Sequence, residues 1–463
     1  MKIDDNELLG IRKPRPVELK QTSNSTVVSL SEKIANSAGM LVQQSANGKG
    51  ASLAPQSRAA SVIAEILSDT YAYDASATIW HRFFTTHWKE DEDKAIQATI
   101  TDILYKATDP LGFSANYQSG IFRLLASSNL MSFPPRRGER ENIPFTNGQL
   151  NIRTMEFAPT TPQNAQRWCL PHRYDQDADC PVFRDWLLDK LNKDQDSVDL
   201  IRAFIAAVLR GGAYLHKFLH LVGPAGSGKS TLGRVLFEIV GEENRTTTDM
   251  KNLETTRFET AGLYGKRLVC IEDAHRYGGN LSVFKAMTGQ DPLRLERKNV
   301  QQRGSFIFDG MVLVMSNEFL TSSDYSSGIE RRRVTVVFDN VSSDDDRLAW
   351  NARGGEEAIL HPEIPGIINW ALGLSSQQIR QAFADMPDRV KQANVEAARF
   401  NNPVADWMLE NCVPDGDAKT KVGVKQESIE QGKKTYENSK TQLYPNYLAW
   451  SLGANREPVS MQR

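Results

Sequence analysis

No stretch of this 463-residue chain is long and apolar enough to cross a membrane. Charges or turn residues break every hydrophobic run, and even Ala203 to Val222 carries Arg210 and Lys217. The N-terminus has no secretory apolar region. Cysteine is scarce: Cys169, Cys180, Cys270 and Cys412 are scattered, with no C-x-x-C pair and no histidine at metal-ligand spacing, which removes a zinc site and fits a reducing cytosolic setting. Net charge is nearly absent as well, at −2. That excludes a globally basic nucleic-acid coat protein, but not one that concentrates positive charge in a groove or pore. Any DNA contact must therefore be local.

The length suits about three folding units, and the 40% apolar content is enough to bury real cores. Residues 1–60, rich in Ser, Asn, Gln and Lys, read as a polar, flexible leader. Residues 61–195 read as a mostly helical unit, opening on Tyr71, Tyr73, Trp80, Phe83, Phe84 and Trp88. Helical periodicity runs through Ala95 to Leu104, Ile121 to Leu130, Val182 to Leu191 and Val198 to Leu209, and Phe145 to Asn151 reads as a short turn-strand element. Residues 196–345 have the strand-helix alternation of an α/β nucleotide-binding core, and residues 346–463 form a helical C-terminal region.

The most specific signal is Gly223-Pro224-Ala225-Gly226-Ser227-Gly228-Lys229-Ser230, set between the apolar run Phe218 to Val222 and the helical pattern Thr231 to Val240. Glycines let backbone N–H groups point at phosphate oxygens, and the following helix adds its positive end. Lys229 would reach the β- and γ-phosphates, and the Ser230 hydroxyl would ligate Mg²⁺. A chance match in a chain this long has odds of about one or two in a hundred before any flanking strand and helix are required. A plain glycine-rich turn is therefore the weaker reading. The pattern implies a nucleoside triphosphate, ATP with Mg²⁺, as the ligand.

About forty residues on, the strand-like Arg267 to Ile271 ends in Glu272-Asp273. One carboxylate can hold the Mg²⁺ shell while the other orients the attacking water. We assign Glu272 to the water and Asp273 to the metal, with the division between them open; an acid pair seen alone is more often a solvated strand end. A third apolar run, Met311 to Met315, leads to Ser316-Asn317, which puts an amide where a parallel sheet would present it beside the γ-phosphate. Taken alone, Asn317 could equally be a turn residue. Arg331-Arg332-Arg333 precede a further strand, Val334 to Phe338. A single arginine from a neighbouring subunit can neutralise charge on a transferred phosphoryl group. Arg331 is the first candidate and Arg332 the second, against an exposed basic turn.

Asp291 to Phe308 is not needed for nucleotide chemistry. Two alternating runs flank basic and amide residues, which reads as a β-hairpin with a positive tip. Arg297, Lys298 and Arg303 could grip a phosphate backbone without reading bases, although composition alone fits a solvated charged hairpin too.

In this order the motifs resemble the superfamily three helicases of viruses, phages and plasmids. The chain is most similar to the helicase portion of phage and plasmid primase-helicases, relatives of the poxvirus primase-helicase. The resemblance extends upstream through Asn147-Gly148, Tyr174-Asp175, Cys180-Pro181 and Phe183, and downstream through Thr435-Tyr436 and Leu443-Tyr444-x-x-Tyr447-x-x-Trp450, which look like a winged-helix module. It implies an AAA+-like P-loop core, a homohexameric ring, and ATP-driven 3′ to 5′ translocation on single-stranded or forked DNA during replication. It also implies arginine fingers acting across subunits, Lys298 at the DNA-contacting hairpin tip, and the host cytoplasm, bacterial for a phage or plasmid element, as the location. The leader is too short to be the primase domain that often precedes such helicases, so a separately encoded primase or initiator is expected. The pattern after Trp450 stops early for a complete winged helix. The main alternative is an AAA+ replication initiator or remodeller that assembles on DNA without processive unwinding. A small-molecule kinase would need neither the trans arginine nor the hairpin, and a passive DNA-binding protein has no use for Glu272 and Asp273.

Overall fold

A computed structural model of the chain describes residues 30–44, 50–133, 141–272, 281–296, 304–320, 327–413, 415–430, 433–454 and 458–460. Among these, no helix is long and apolar enough to cross a membrane.

The end of the polar leader is folded rather than free. Leu30–Ser37 is helical and Val42–Gln44 pairs antiparallel with Ala51–Leu53. A few well-placed apolar residues cause this: Ile34 and Leu41 bury in one core with Ile63 and Leu67 of the Gln56–Leu67 helix. Lys33 Nζ also donates to Asp69 Oδ2 at 2.6 Å. A polar average over sixty residues hides such positions.

The aromatic run that opens the next, otherwise mostly helical, unit forms strands. Tyr71–Asp74, Ile79–Phe84 and His87–Asp91 make an antiparallel meander. Tyr73 is paired across the ladder with Trp80, ring centroids 4.8 Å apart, and Phe83 with Trp88 at 5.5 Å. Large flat side chains suit a half-buried pleated surface and stabilise it pair by pair. Helices Asp93–Thr108 and Ala115–Leu125 share the core of this sheet, the first burying Ile96, Ile100, Ile103 and Leu104 at helical spacing.

The span 61–195 does not have a single core. Val62, Ile100, Ile121 and Met131 share a core with Trp80, whereas Ile143, Phe145, Leu150, Phe183 and Trp186 join the core that contains Leu219, Leu236 and Leu313. The C-terminal boundary shifts as well. Leu360, Ile367, Ile379 and Val390, beyond residue 345, belong to that same central core. Only Trp407, Tyr436, Tyr447 and Leu448 make a satellite, built from helices Pro403–Asn411 and Leu443–Gly453 and the hairpin Glu427–Glu430 with Lys433–Tyr436.

The centre is a five-stranded parallel sheet: β1 (Phe218–Val222), β2 (Arg245–Thr248), β3 (Leu268–Ile271), β4 (Met311–Ser316) and β5 (Arg333–Val337), in the spatial order β2-β3-β4-β1-β5. β1, β3 and β4 are buried throughout, as expected of strands covered on both faces. The chain leaves β1 for the far edge at β2 and returns through β3 and β4, while β5 lies on the other side of β1. Ligands of open parallel sheets sit at such a switch point, beyond the carboxyl ends of the strands.

Several histidines are held neutral by this packing. Burial first, and the Arg167 charge second, pull His81 down to about 4; burial likewise lowers His87, His172 and His220. The unfolded chain takes up these protons near pH 6.5, so their contribution to stability is complete above that value and is lost as pH falls. For His81 alone the loss by pH 4 is about 3 kcal/mol. Denaturant midpoints should therefore drop below pH 6.5, with a shallower acid limb in His81→Gln. A wild-type midpoint that is flat from pH 7 to pH 4 would contradict this.

Candidate functional site

The loop after β1 is shaped by positions that tolerate no side chain. A Cβ on Gly223 would lie 1.8 Å from the Phe338 carbonyl oxygen, because the segment leaving β5 runs directly alongside. Gly228, at φ +97°, precedes the helix Lys229–Val240, and a Cβ there would meet Trp186 at 3.2 Å. That helix begins without a capping side chain, so its first-turn N–H groups remain as donors at the loop. Lys229 is 7% exposed, and its Nζ donates to the Gly223 carbonyl at 2.6 Å, the Pro224 carbonyl at 2.8 Å and Asn317 Oδ1 at 3.4 Å. The cation is thus stationed at the loop floor and tied to the end of β4. Ser227 Oγ donates to the Pro224 carbonyl at 2.9 Å and closes the turn.

Because all five strands run the same way, the residues following them share one edge. Val222 of β1 lies beside Ser316 of β4, which puts Asn317 next to Gly223, and Glu272 directly follows β3. Ala225, Gly226, Ser227, Gly228, Lys229, Ser230, Thr231, Glu272 and Asn317 line one cavity of about 600 Å³. Asp273 lies outside the described residues. Among the described residues no group of three or more His, Cys, Asp or Glu side chains could hold a metal ion. Mg²⁺ suits this donor set nonetheless, because it is commonly bound by one or two protein groups together with substrate phosphate oxygens. The exposed Ser230 hydroxyl sits at the helix start where such a group is needed.

The arginines are not brought to this cavity. Arg333 pairs with Phe218, at the opposite end of β1 from Gly223, about 17 Å away along the strand. Arg331 lies two residues further out and is exposed; among the described residues its guanidinium has no hydrogen-bond or ion-pair partner. Arg332 is half-buried and donates to the Lys285 carbonyl at 3.0 Å. Arg333 is 1% exposed and directs Nη2 at the Leu320 carbonyl, 3.4 Å away.

Leu293–Arg294 and Ser305–Phe306 pair antiparallel as the stem of a hairpin, while Arg297, Lys298 and Arg303 lie outside the described residues. The stem rests on the N-terminal meander. Ala77 packs in one cluster with Leu295 and Phe306, and the Tyr264 ring meets Phe306 edge-on at 5.4 Å. The Tyr264 hydroxyl donates to Asp74 Oδ2 at 3.2 Å, and Arg167 donates to the same oxygen at 2.9 Å.

The sequence reading missed the far wall of the cavity. Arg347, Trp350, Asn351, Glu356 and Glu357 line it, more than a hundred residues after the loop they face. Glu356 accepts from Thr231 Oγ1 at 2.7 Å and from Trp186 Nε1 at 3.3 Å, with Lys190 Nζ 3.8 Å away. Glu357 pairs with Arg234 of the loop's own helix. The segment opens on Asp344-Asp345-Asp346, whose composition is that of a solvated helix start, so no local signal marks it.

Residues 60–192 match the family described as "D5 N terminal like", and residues 221–333 match "Family of unknown function (DUF5906)". Two curated proteins of Marchantia polymorpha are similar in part. "Uncharacterized mitochondrial protein ymf20" is 26% identical over 118 residues, which is 26% of this chain and 71% of that protein. "Uncharacterized mitochondrial protein ymf21" is 26% identical over 166 residues, 33% of this chain and 89% of that protein. Among solved structures, the A form apo structure of the NrS-1 C terminal region is 14% identical, covering 79% of this chain and 94% of that chain at a TM-score of 0.48. A second apo structure of that region gives the same identity and coverage at 0.46. A D5 N-terminal-like region thus stands ahead of the parallel-sheet core that carries the cavity, an arrangement similar to that of phage-type primase-helicases.

Proposed function

We propose that this protein is an ATP-dependent DNA helicase that works as a ring, taken as a hexamer, with each ATP held at a seam between copies. One observation carries the reading. The nucleotide-type cavity and the exposed Arg331 lie at opposite ends of the same sheet, which supports a role for Arg331 at the cavity of another copy and not at its own. In this reading Lys229 and the loop amides hold the triphosphate, Glu272 orients the attacking water, and Asn317 contacts the γ-phosphate. Bound Mg²⁺ would neutralise charge developing on the phosphate oxygens, with Ser230 and Asp273 as its protein ligands. Arg331 of the next copy supplies the finger, with Arg332 the second candidate.

Hydrolysis then moves the hairpin. Arg297, Lys298 and Arg303 on successive copies track the phosphate backbone of single-stranded DNA, with 3′ to 5′ polarity, which gives salt-sensitive binding without sequence preference. A slightly acidic chain can be a DNA motor in this way.

The test is strand displacement from a forked duplex. Wild-type protein with ATP is expected to release the strand, and Lys298→Ala to lose both unwinding and the DNA-stimulated part of hydrolysis. Hydrolysis and assembly without any strand release would instead make the protein a remodeller or initiator.

A further inference from the structure

The cavity is longer than its phosphate loop, and the other end has a distinct chemistry. The helix Asp344–Asn351 borders it, opened by a capping box in which the Ser343 and Asp346 side chains bond reciprocally to backbone N–H groups. Arg347, Trp350 and Asn351 stand at i, i+3 and i+4, one face of that helix, and all three line the cavity. Arg347 marks the phosphate end, since its Nη1 lies 3.9 Å from where a Gly226 Cβ would be. One turn on, the partly buried Trp350 packs against the central core and also lines the cavity. The carbonyl of Trp350 accepts the N–H groups of Arg353 at 3.0 Å and Gly355 at 2.9 Å, so the ring is carried on a pinned backbone. Phe237, the other aromatic residue there, already has the Arg245 guanidinium over its ring at 4.5 Å.

We infer that Trp350 is the stacking surface for the base of the bound nucleoside triphosphate, with the Asn351 amide at the polar edge of that base and Arg347 beside the phosphates. This rests on the nucleotide-hydrolysis reading and deepens it: the site takes a nucleoside triphosphate, and the segment after β5 binds its nucleoside half. An indole held by core packing at the cavity wall provides a stacking platform at little entropic cost.

Calorimetry on the full-length chain separates the two halves, using MgATP and, as a ligand without a nucleoside, magnesium tripolyphosphate. Trp350→Ala is expected to weaken ATP about ten-fold and leave tripolyphosphate unchanged, while Trp350→Phe keeps most of the ATP affinity. Unchanged ATP affinity in Trp350→Ala, or equal weakening of both ligands, would overturn the stacking role. Lys229→Ala should weaken both ligands; if it weakens neither, the phosphate cradle itself is wrong and this inference falls with it.

Discussion

Lys229→Ala is expected to lower ATP turnover by at least about 10²-fold, measured as phosphate release at saturating DNA. The ammonium is buried at the loop floor between two carbonyls and the Asn317 amide oxygen, with the loop amides and helix start above it. Under the proposed reading, triphosphate oxygens entering from the cavity would meet a positive charge already in place, so little reorganisation would be needed when charge develops in the transition state. No other lysine lines the cavity among the described residues, and its two arginines, Arg234 and Arg347, are each paired with an acid. Neither is held at the loop floor as Lys229 is. A variant that hydrolyses ATP at the wild-type rate would remove the cavity from the mechanism.

Arg331→Ala should have an effect of similar or larger size for a different reason. An arginine supplied in trans is worth about 10³ to 10⁵ in turnover, and its loss leaves the cradle intact, so ATP should still bind with near wild-type affinity. Arg332→Ala provides the contrast. Its guanidinium is tied to the Lys285 carbonyl, and burial, together with the charge of Arg331, holds it below the usual arginine range. Its removal should therefore show first in the denaturant midpoint. The reverse pattern, with turnover lost in Arg332→Ala and kept in Arg331→Ala, would pass the finger to the second candidate.

Much of the sheet was legible because of how parallel strands are covered. β1, β3, β4 and β5 each read as an apolar run, and three of them deliver a cavity-edge residue at the carboxyl end: Gly223, Glu272 and Asn317. β2, Arg-Thr-Thr-Thr, gave no such signal; it is an edge strand with one neighbour and needs little apolar surface. The meander at Tyr71–Asp91 was not anticipated within a unit expected to be mostly helical, because clustered aromatics fit a short buried strand or a helix face equally well. The cavity's far wall was invisible for a further reason. Trp350 and Glu356 reach the loop only through the packing of helices beyond β5 onto the central core, which no local pattern encodes.

The seam itself can be tested by mixing two inactive proteins. Lys229→Ala subunits keep Arg331 and lack a working cradle, while Arg331→Ala subunits keep the cradle and lack the finger. In mixed assemblies some seams join an intact cradle to an intact finger, so the mixture should hydrolyse ATP although each variant alone does not. A mixture as inactive as its components, despite verified co-assembly, would contradict a shared site, as would an Arg331→Ala protein that turns over ATP like the wild type.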